Sequence, residues 1–311
     1  MGTRQENKKK KRKWVRVLWS IIGILIIGVG AYAYSVYHSL TSAVETMHTP
    51  LDRAKSEKRT EEVSLKKAEA FSVALLGVDQ RPGDRGRSDS IIVMAVNPNT
   101  NSVKMVSIPR DTRTKIIGKG TVDKINHAYA FGGVKMSLDT IENFLDIPID
   151  YYVEINMEGF KDIVDSVGGV TVENDLDFTS DGAHFSKGTL KLNGDRALKY
   201  ARMRHEDPRG DFGRQMRQRQ IIQAVINKGA SVSSLTNFGD IFAALGNNVK
   251  TNLTFDEMVT IQSKYKDARN SIEQIQLKAQ GTMVSGISYQ LVSDEEKARV
   301  QNILKNQLEL K

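Results

Sequence analysis

The 311-residue chain contains no cysteine. This excludes disulfides and thiolate metal sites, and it fits an extracytoplasmic bacterial protein that folds without cross-links. Histidine offers no metal site either: His184 and His205 lack ligand spacing, and His127, in an apolar turn, reads as structural. There is no Walker loop, nucleophile elbow or internal repeat, which excludes the chemistries those features carry. An excess of positive charge is missing from most of the chain as well. The formal net charge is +8, but before residue 17 Arg4, Lys8, Lys9, Lys10, Lys11, Arg12, Lys13 and Arg16 oppose only Glu6. The remainder is nearly neutral, so the basic balance gives no reason to expect nucleic acid as a partner.

Charge is wholly absent from residues 17–37, which include the apolar run from Ile21 to Gly30. About 20 such residues span a bilayer as a helix. Trp14 and Trp19 flank one end and Tyr32, Tyr34 and Tyr37 the other, where interfacial aromatics belong. The basic segment at residues 1–16 should stay cytoplasmic, which predicts a single-pass type II protein of the cell membrane with its remainder outside. Residues 38–70 are polar and rich in Glu and Lys, as expected of a partly helical extracellular stalk. With 40% hydrophobic residues overall, residues 71–311 can bury a core as one folded domain.

That domain opens on a buried strand from Phe71 to Val78 that ends at Asp79. A loop rich in Gly and charge follows, and then two β-rich runs around Asn97-Pro98-Asn99-Thr100-Asn101 form a hairpin. If the three strands run up, down and up, Asp79, Arg87, Asp89 and Arg110 gather at one end of a sheet. Three readings are open for them: surface salt bridges, an acid and base pair, or oxygen ligands to a hard cation beside phosphate. Further on, residues 122–131 and 134–145 read as helices separated by Gly132-Gly133, with a strand at residues 151–156. The mixed order predicts an α/β fold with a partly antiparallel central sheet flanked by helices. From Leu235 onward, amphipathic helices alternate with a strand near residues 272–277 and carry no recognisable chemistry.

The densest arginine stretch of the domain runs from Tyr200 to Arg219. Guanidinium forks fit carboxylate or phosphate oxygens two at a time, so the cluster points to an anionic ligand. On a helix beginning at Asp211, Arg214 and Gln218 share a face with Ile221 and Val225, and Arg217 lies beside them. Since the aliphatic residues must face the core, the polar ones are expected to point inward too.

Several stretches, in this order, carry a resemblance: Leu75-Leu76-Gly77-Val78-Asp79, Arg87-Ser88-Asp89-Ser90, Ile108-Pro109-Arg110-Asp111-Thr112, Ile125-Asn126-His127-Ala128-Tyr129 and Tyr200-Ala201-Arg202-Met203-Arg204. With the basic tail and membrane helix, they resemble the LytR-CpsA-Psr family, and within it the teichoic-acid transferases of Gram-positive bacteria. The resemblance implies a Mg²⁺-assisted (or Mn²⁺-assisted) phosphotransferase. Such an enzyme moves a glycopolymer from a polyprenyl-pyrophosphate carrier to the C6 hydroxyl of N-acetylmuramic acid in peptidoglycan, and releases polyprenyl phosphate. It also implies that Asp79 and Asp89 hold the metal, that Arg110 acts with them in catalysis, and that Arg87, Arg110, Arg202, Arg204, Arg209, Arg214, Arg217 and Gln218 bind the pyrophosphate. Rival readings are a pyrophosphatase acting on the same carrier and a non-catalytic, membrane-anchored regulatory protein.

Overall fold

The computed structural model describes residues 40–79, 86–229 and 245–310, together with Tyr32, Tyr34, Ser35, Tyr37 and His38. Most of the expected membrane span and the loop arginines Arg81 and Arg85 lie outside the described residues. Among those described, no helix is long and apolar enough to cross a membrane.

In chain order the strands are β1 (Phe71–Asp79), β2 (Arg87–Asn97), β3 (Ser102–Ile108), β4 (Arg113–Lys115), β5 (Val122–Lys124), β6 (Tyr151–Ile155), β7 (Val170–Asn174), β8 (Phe178–Ser180), β9 (Ala183–Phe185), β10 (Gly188–Leu192), β11 (Val249–Thr251), β12 (Ile272–Gln276), β13 (Gln280–Val284) and β14 (Ile287–Leu291). The α-helices are α1 (His127–Leu145), α2 (Met157–Ser166), α3 (Gly194–Arg202), α4 (Asp211–Gly229), α5 (Phe255–Lys264) and α6 (Asp294–Gln307). Six strands form the central sheet in the order β11-β6-β1-β2-β3-β12. β1 runs antiparallel to β2 and parallel to β6, and β3 runs antiparallel to β2 and parallel to β12. The result is the mixed α/β sheet flanked by helices that the sequence predicts.

Alternation along the strands gives each face a different task. Ala74, Leu76 and Val78 of β1, with Ile91, Val93 and Ala95 of β2, pack against Ile141 and Leu145 of α1 and Val300 and Leu304 of α6. Each of the buried Val, Leu and Ile side chains among these stabilises the fold by roughly 1.5–3 kcal/mol. A second core joins Val164 of α2, Phe178, Phe185, Tyr200 of α3 and Ile221 of α4. The candidate site lies between that layer and the opposite face of β1 and β2.

Two local expectations need correction. Residues 122–131 are not one helix: Val122–Lys124 pairs with Arg113–Lys115 as a hairpin, and α1 begins only at His127. The expected interruption at Gly132-Gly133 is present as a kink, with Gly133 at φ 64°. The segment expected as a stalk is packed on the domain from residue 40 onward. Leu40, Val44 and Met47 are buried. Arg53 donates to both carboxylate oxygens of Glu142 at 2.8 and 2.9 Å, and Arg59 does the same to Asp150 at 2.9 and 2.7 Å.

Candidate active site

β1 and β2 pair in step as far as Gly77 opposite Ser90; the register then shifts so that Val78 opposes Ser88. Asp89 is therefore the extra residue of a β-bulge. Adjacent strand residues normally point to opposite faces, but here both Asp89 and Ser90 line one cavity. The strands approach closely because residue 77 is glycine: a Cβ there would lie 2.9 Å from Ser90 Cβ. Asp79, at the end of β1, lines the same cavity.

Arg110 follows β3 and reaches across the sheet end, with Nη1 3.2 Å from Asp89 Oδ1. Asn126, just before α1, donates to the same oxygen at 3.3 Å. From the other side, α4 presents Arg214, Gln218 and Ile222 at successive turns. Ser90 Oγ donates to Gln218 Oε1 at 2.9 Å, tying α4 to β2. Arg214 Nη2 lies 2.5 Å from Asp211 Oδ1. Burial lowers the Arg214 pKa, Asp211 and Asp89 oppose that shift, and Arg110 and Arg204 reinforce it. These five charges therefore act on one small volume. The Nε atoms of Arg110 and Arg214 are buried and lack a hydrogen-bond partner. Buried donors are seldom left so; a carboxylate oxygen of Asp111 lies 3.8 Å from Arg110 Nε.

The cavity has a volume of about 390 Å³. Its charged part is built from Asp79, Asp89, Arg110, Arg202, Arg204 and Arg214, and its apolar part from Leu75, Ile92, Ile155, Phe160, Leu198 and Ile222. Such a cavity suits an amphiphile with an anionic head and a hydrocarbon chain. Asp79 and Asp89 are the only carboxylates that line it among the described residues. No group of three or more His, Cys, Asp or Glu converges among the described residues, so no closed metal cage is built. Two hard oxygen donors on one wall do fit Mg²⁺ or Mn²⁺, which complete their shells with phosphate oxygens and water.

Of the ten residues predicted for the site, Asp79, Asp89, Arg110, Arg202, Arg204, Arg214 and Gln218 line the cavity, whereas Arg87, Arg209 and Arg217 do not. Arg87 is exposed and pairs in register with Asp79 at the strand end. Arg217 is only 1% exposed and is turned away, with Nη1 2.6 Å from Asp207 Oδ2. It also donates to the carbonyls of Met203 at 2.6 Å and Tyr200 at 3.1 Å. Arg209 binds the other Asp207 oxygen at 2.9 Å and Asp175 at 2.6 Å. Burial pushes the Asp207 carboxyl up, but hydrogen bonds from Arg209 and Arg217 outweigh it and hold the pKa at about 2. A Cβ at Gly213 would lie 1.9 Å from Asp207 Oδ2, so α4 can pass the carboxylate only with glycine there. Asp207, Arg209 and Arg217 form a latch on the loop that carries Arg204.

Sequence reasoning named none of the apolar lining and missed Asp207. The apolar residues come from six separate elements and look like any other core residues. Asp207 did carry a signal, since a carboxylate among so many arginines must pair with some of them.

The LytR_cpsA_psr family profile matches residues 34–306. Polyisoprenyl-teichoic acid–peptidoglycan teichoic acid transferase TagU of Bacillus subtilis (strain 168) is 55% identical over 306 residues, which cover 98% of this chain and 99% of TagU. A crystal structure of a protein from Enterococcus faecalis, described as a transcriptional regulator, is 42% identical with a TM-score of 0.74, covering 80% of this chain and 91% of that one. The LytR-CPS2A-psr family protein YwtF (TagT), solved with bound octaprenyl pyrophosphate lipid, is 32% identical with a TM-score of 0.69, covering 85% of this chain and all of the other. With the profile spanning nearly the whole folded region and TagU matching end to end, the chain belongs to the LytR-CpsA-Psr family.

Proposed function

We propose that the protein is a membrane-anchored phosphotransferase. It takes an anionic glycopolymer, wall teichoic acid by its likeness to TagU, from a polyprenyl-pyrophosphate carrier and joins it to the C6 hydroxyl of N-acetylmuramic acid in peptidoglycan. The observation that carries this reading is that one cavity joins an arginine and aspartate head to an apolar lining. The octaprenyl pyrophosphate lipid bound to YwtF (TagT) is an amphiphile of that kind, with an anionic head and a hydrocarbon chain. Residues 17–37 serve as a type II anchor in this reading, which keeps the catalytic domain outside the cell and within reach of both the lipid bilayer and the wall.

In the reaction, the acceptor oxygen bonds to the phosphorus that carries the glycan, the bond from that phosphorus to the polyprenyl phosphate breaks, and the hydroxyl proton passes, directly or through water, to the departing polyprenyl phosphate. Phosphoryl transfer needs positioning and charge neutralisation above all. Arg110, Arg202, Arg204 and Arg214 bind and neutralise the pyrophosphate oxygens, and Gln218, held by Ser90, fixes their orientation. Asp79 and Asp89 would hold Mg²⁺, which when bound supplies further neutralisation of the phosphate oxygens. Removing one preorganised donor from such a site typically costs about 10²–10³ in rate.

The name given to the Enterococcus faecalis relative raises a regulatory reading instead. Complementation separates the two. Full-length protein carrying Asp89→Ala or Arg110→Ala should fail to replace the wild type in a deletion strain, and full rescue by either would favour the regulatory role. Purified enzyme given lipid-pyrophosphate glycan without acceptor tests the pyrophosphatase reading, since rapid release of glycan phosphate would support hydrolysis.

A further inference from the structure

Arg219 is the one arginine of α4 to which neither the cavity nor the latch gives a task. It is 7% exposed, and its Nη1 donates to Ser107 Oγ at 2.8 Å and its Nε to Gln274 Oε1 at 3.2 Å. Both acceptors are neutral, and no carboxylate pairs with it among the described residues. Burying a guanidinium without a counter-ion is costly, and burial alone pushes its pKa down to about 10. A fold that needed only packing here would gain stability from methionine or leucine.

The position explains the cost. Ser107 pairs across the sheet with Ile92, which lines the cavity, and Gln218 and Ile222 on the same helix line it too. Ser107 lies three residues before Arg110, ~10 Å along the strand. Arg219 lies five residues beyond Arg214, ~7.5 Å along the helix axis. Arg219 itself does not line the cavity but stands beside residues that do.

We infer that Arg219 is an electrostatic positioning residue: a buried cation held by Ser107 and Gln274 without a neutralising partner, so that its field strengthens binding of the anionic head of the lipid substrate. The inference rests on the proposed function, because it presumes that a pyrophosphate enters the cavity. A charge ~10 Å from a di- or trianion, at an effective dielectric constant of about 20, changes affinity by roughly tenfold or more. The buried field should also resist screening by salt.

The test compares polyprenyl pyrophosphate with polyprenol of the same chain length, both binding to full-length protein in detergent micelles. Arg219→Met should weaken the pyrophosphate roughly tenfold, leave polyprenol unchanged, and leave the melting temperature unchanged or raised. Arg219→Lys should restore most of the lost affinity. Equal losses for both ligands, no loss for either, or a Lys variant as weak as the Met variant would overturn the inference. If Arg219→Met does not fold, Arg219→Gln, which keeps a donor toward Ser107, replaces it under the same criteria. Failure of the wild type to bind pyrophosphate more tightly than polyprenol would instead overturn the proposed function.

Discussion

Asp207→Ala removes the centre of the latch and leaves Arg217 buried, at 1% exposure, without its carboxylate. Arg209 keeps Asp175, and Arg217 keeps two carbonyls, so the damage centres on one uncompensated cation. Breaking a buried pair in this way costs about 3–5 kcal/mol. The pH dependence has a definite sign. The Asp207 carboxyl has a folded pKa of about 2 against 3.8 in its ordinary state, so its stabilisation is complete above roughly pH 4 and is lost as pH falls toward 2. Shifts of that size correspond to about 2 kcal/mol. Urea unfolding should be followed by far-UV circular dichroism, because both tryptophans lie before residue 20, outside the domain. The variant should lose about 3–5 kcal/mol at pH 7 and show a weaker decline in stability below pH 4. Because Arg204 sits on the latched loop, its turnover should fall about 10²-fold from misplacement alone. A stability loss under about 1 kcal/mol, the range of an exposed pair, would refute the latch.

Gly213→Ala should reproduce much of this phenotype, since its Cβ would overlap Asp207 Oδ2, and wild-type stability in that variant would show that α4 shifts freely. Phe160→Asn places a neutral polar group in the apolar part of the cavity; binding of polyprenyl pyrophosphate, read by isothermal titration, should weaken about tenfold while binding of inorganic pyrophosphate changes little. Chelation of divalent cations should abolish turnover, and Mg²⁺ or Mn²⁺ should restore it. In Asp89→Asn the metal concentration for half-maximal rate should rise, and an unchanged titration would remove Asp89 from the metal site.

The strand ends were legible because β1, β2 and β3 are bounded by clear turn residues and their up-down-up order is short. Asp79, Asp89 and Arg110 could therefore be brought together from sequence. The helical period likewise directed Arg214 and Gln218 inward, although their face continues to Ile222, whereas Ile221 and Val225 turn into the second core. The resemblance counted Arg217 among the pyrophosphate ligands, but three residues beyond Arg214 its side chain turns toward the loop after α3, where only tertiary packing put Asp207. The β13–β14 hairpin was missed although Ser285-Gly286 is a turn dipeptide; both residues take positive φ, 50° and 78°, as a two-residue hairpin turn requires. The stalk was misread for a different reason. Its salt bridges join Arg53 and Arg59 to Glu142 and Asp150, far along the chain, and a polar composition looks the same whether its charges meet solvent or partners.

The central claim is transfer to a peptidoglycan hydroxyl. Its most direct test is mass spectrometry of muropeptides after purified full-length protein has been incubated with Mg²⁺, a polyprenyl-pyrophosphate glycan and peptidoglycan fragments. Muramic acid should gain the mass of the glycan phosphate, and fragmentation should place the phosphodiester at C6. Free glycan phosphate with unmodified muropeptides, or equal product from Arg214→Ala, would contradict the account.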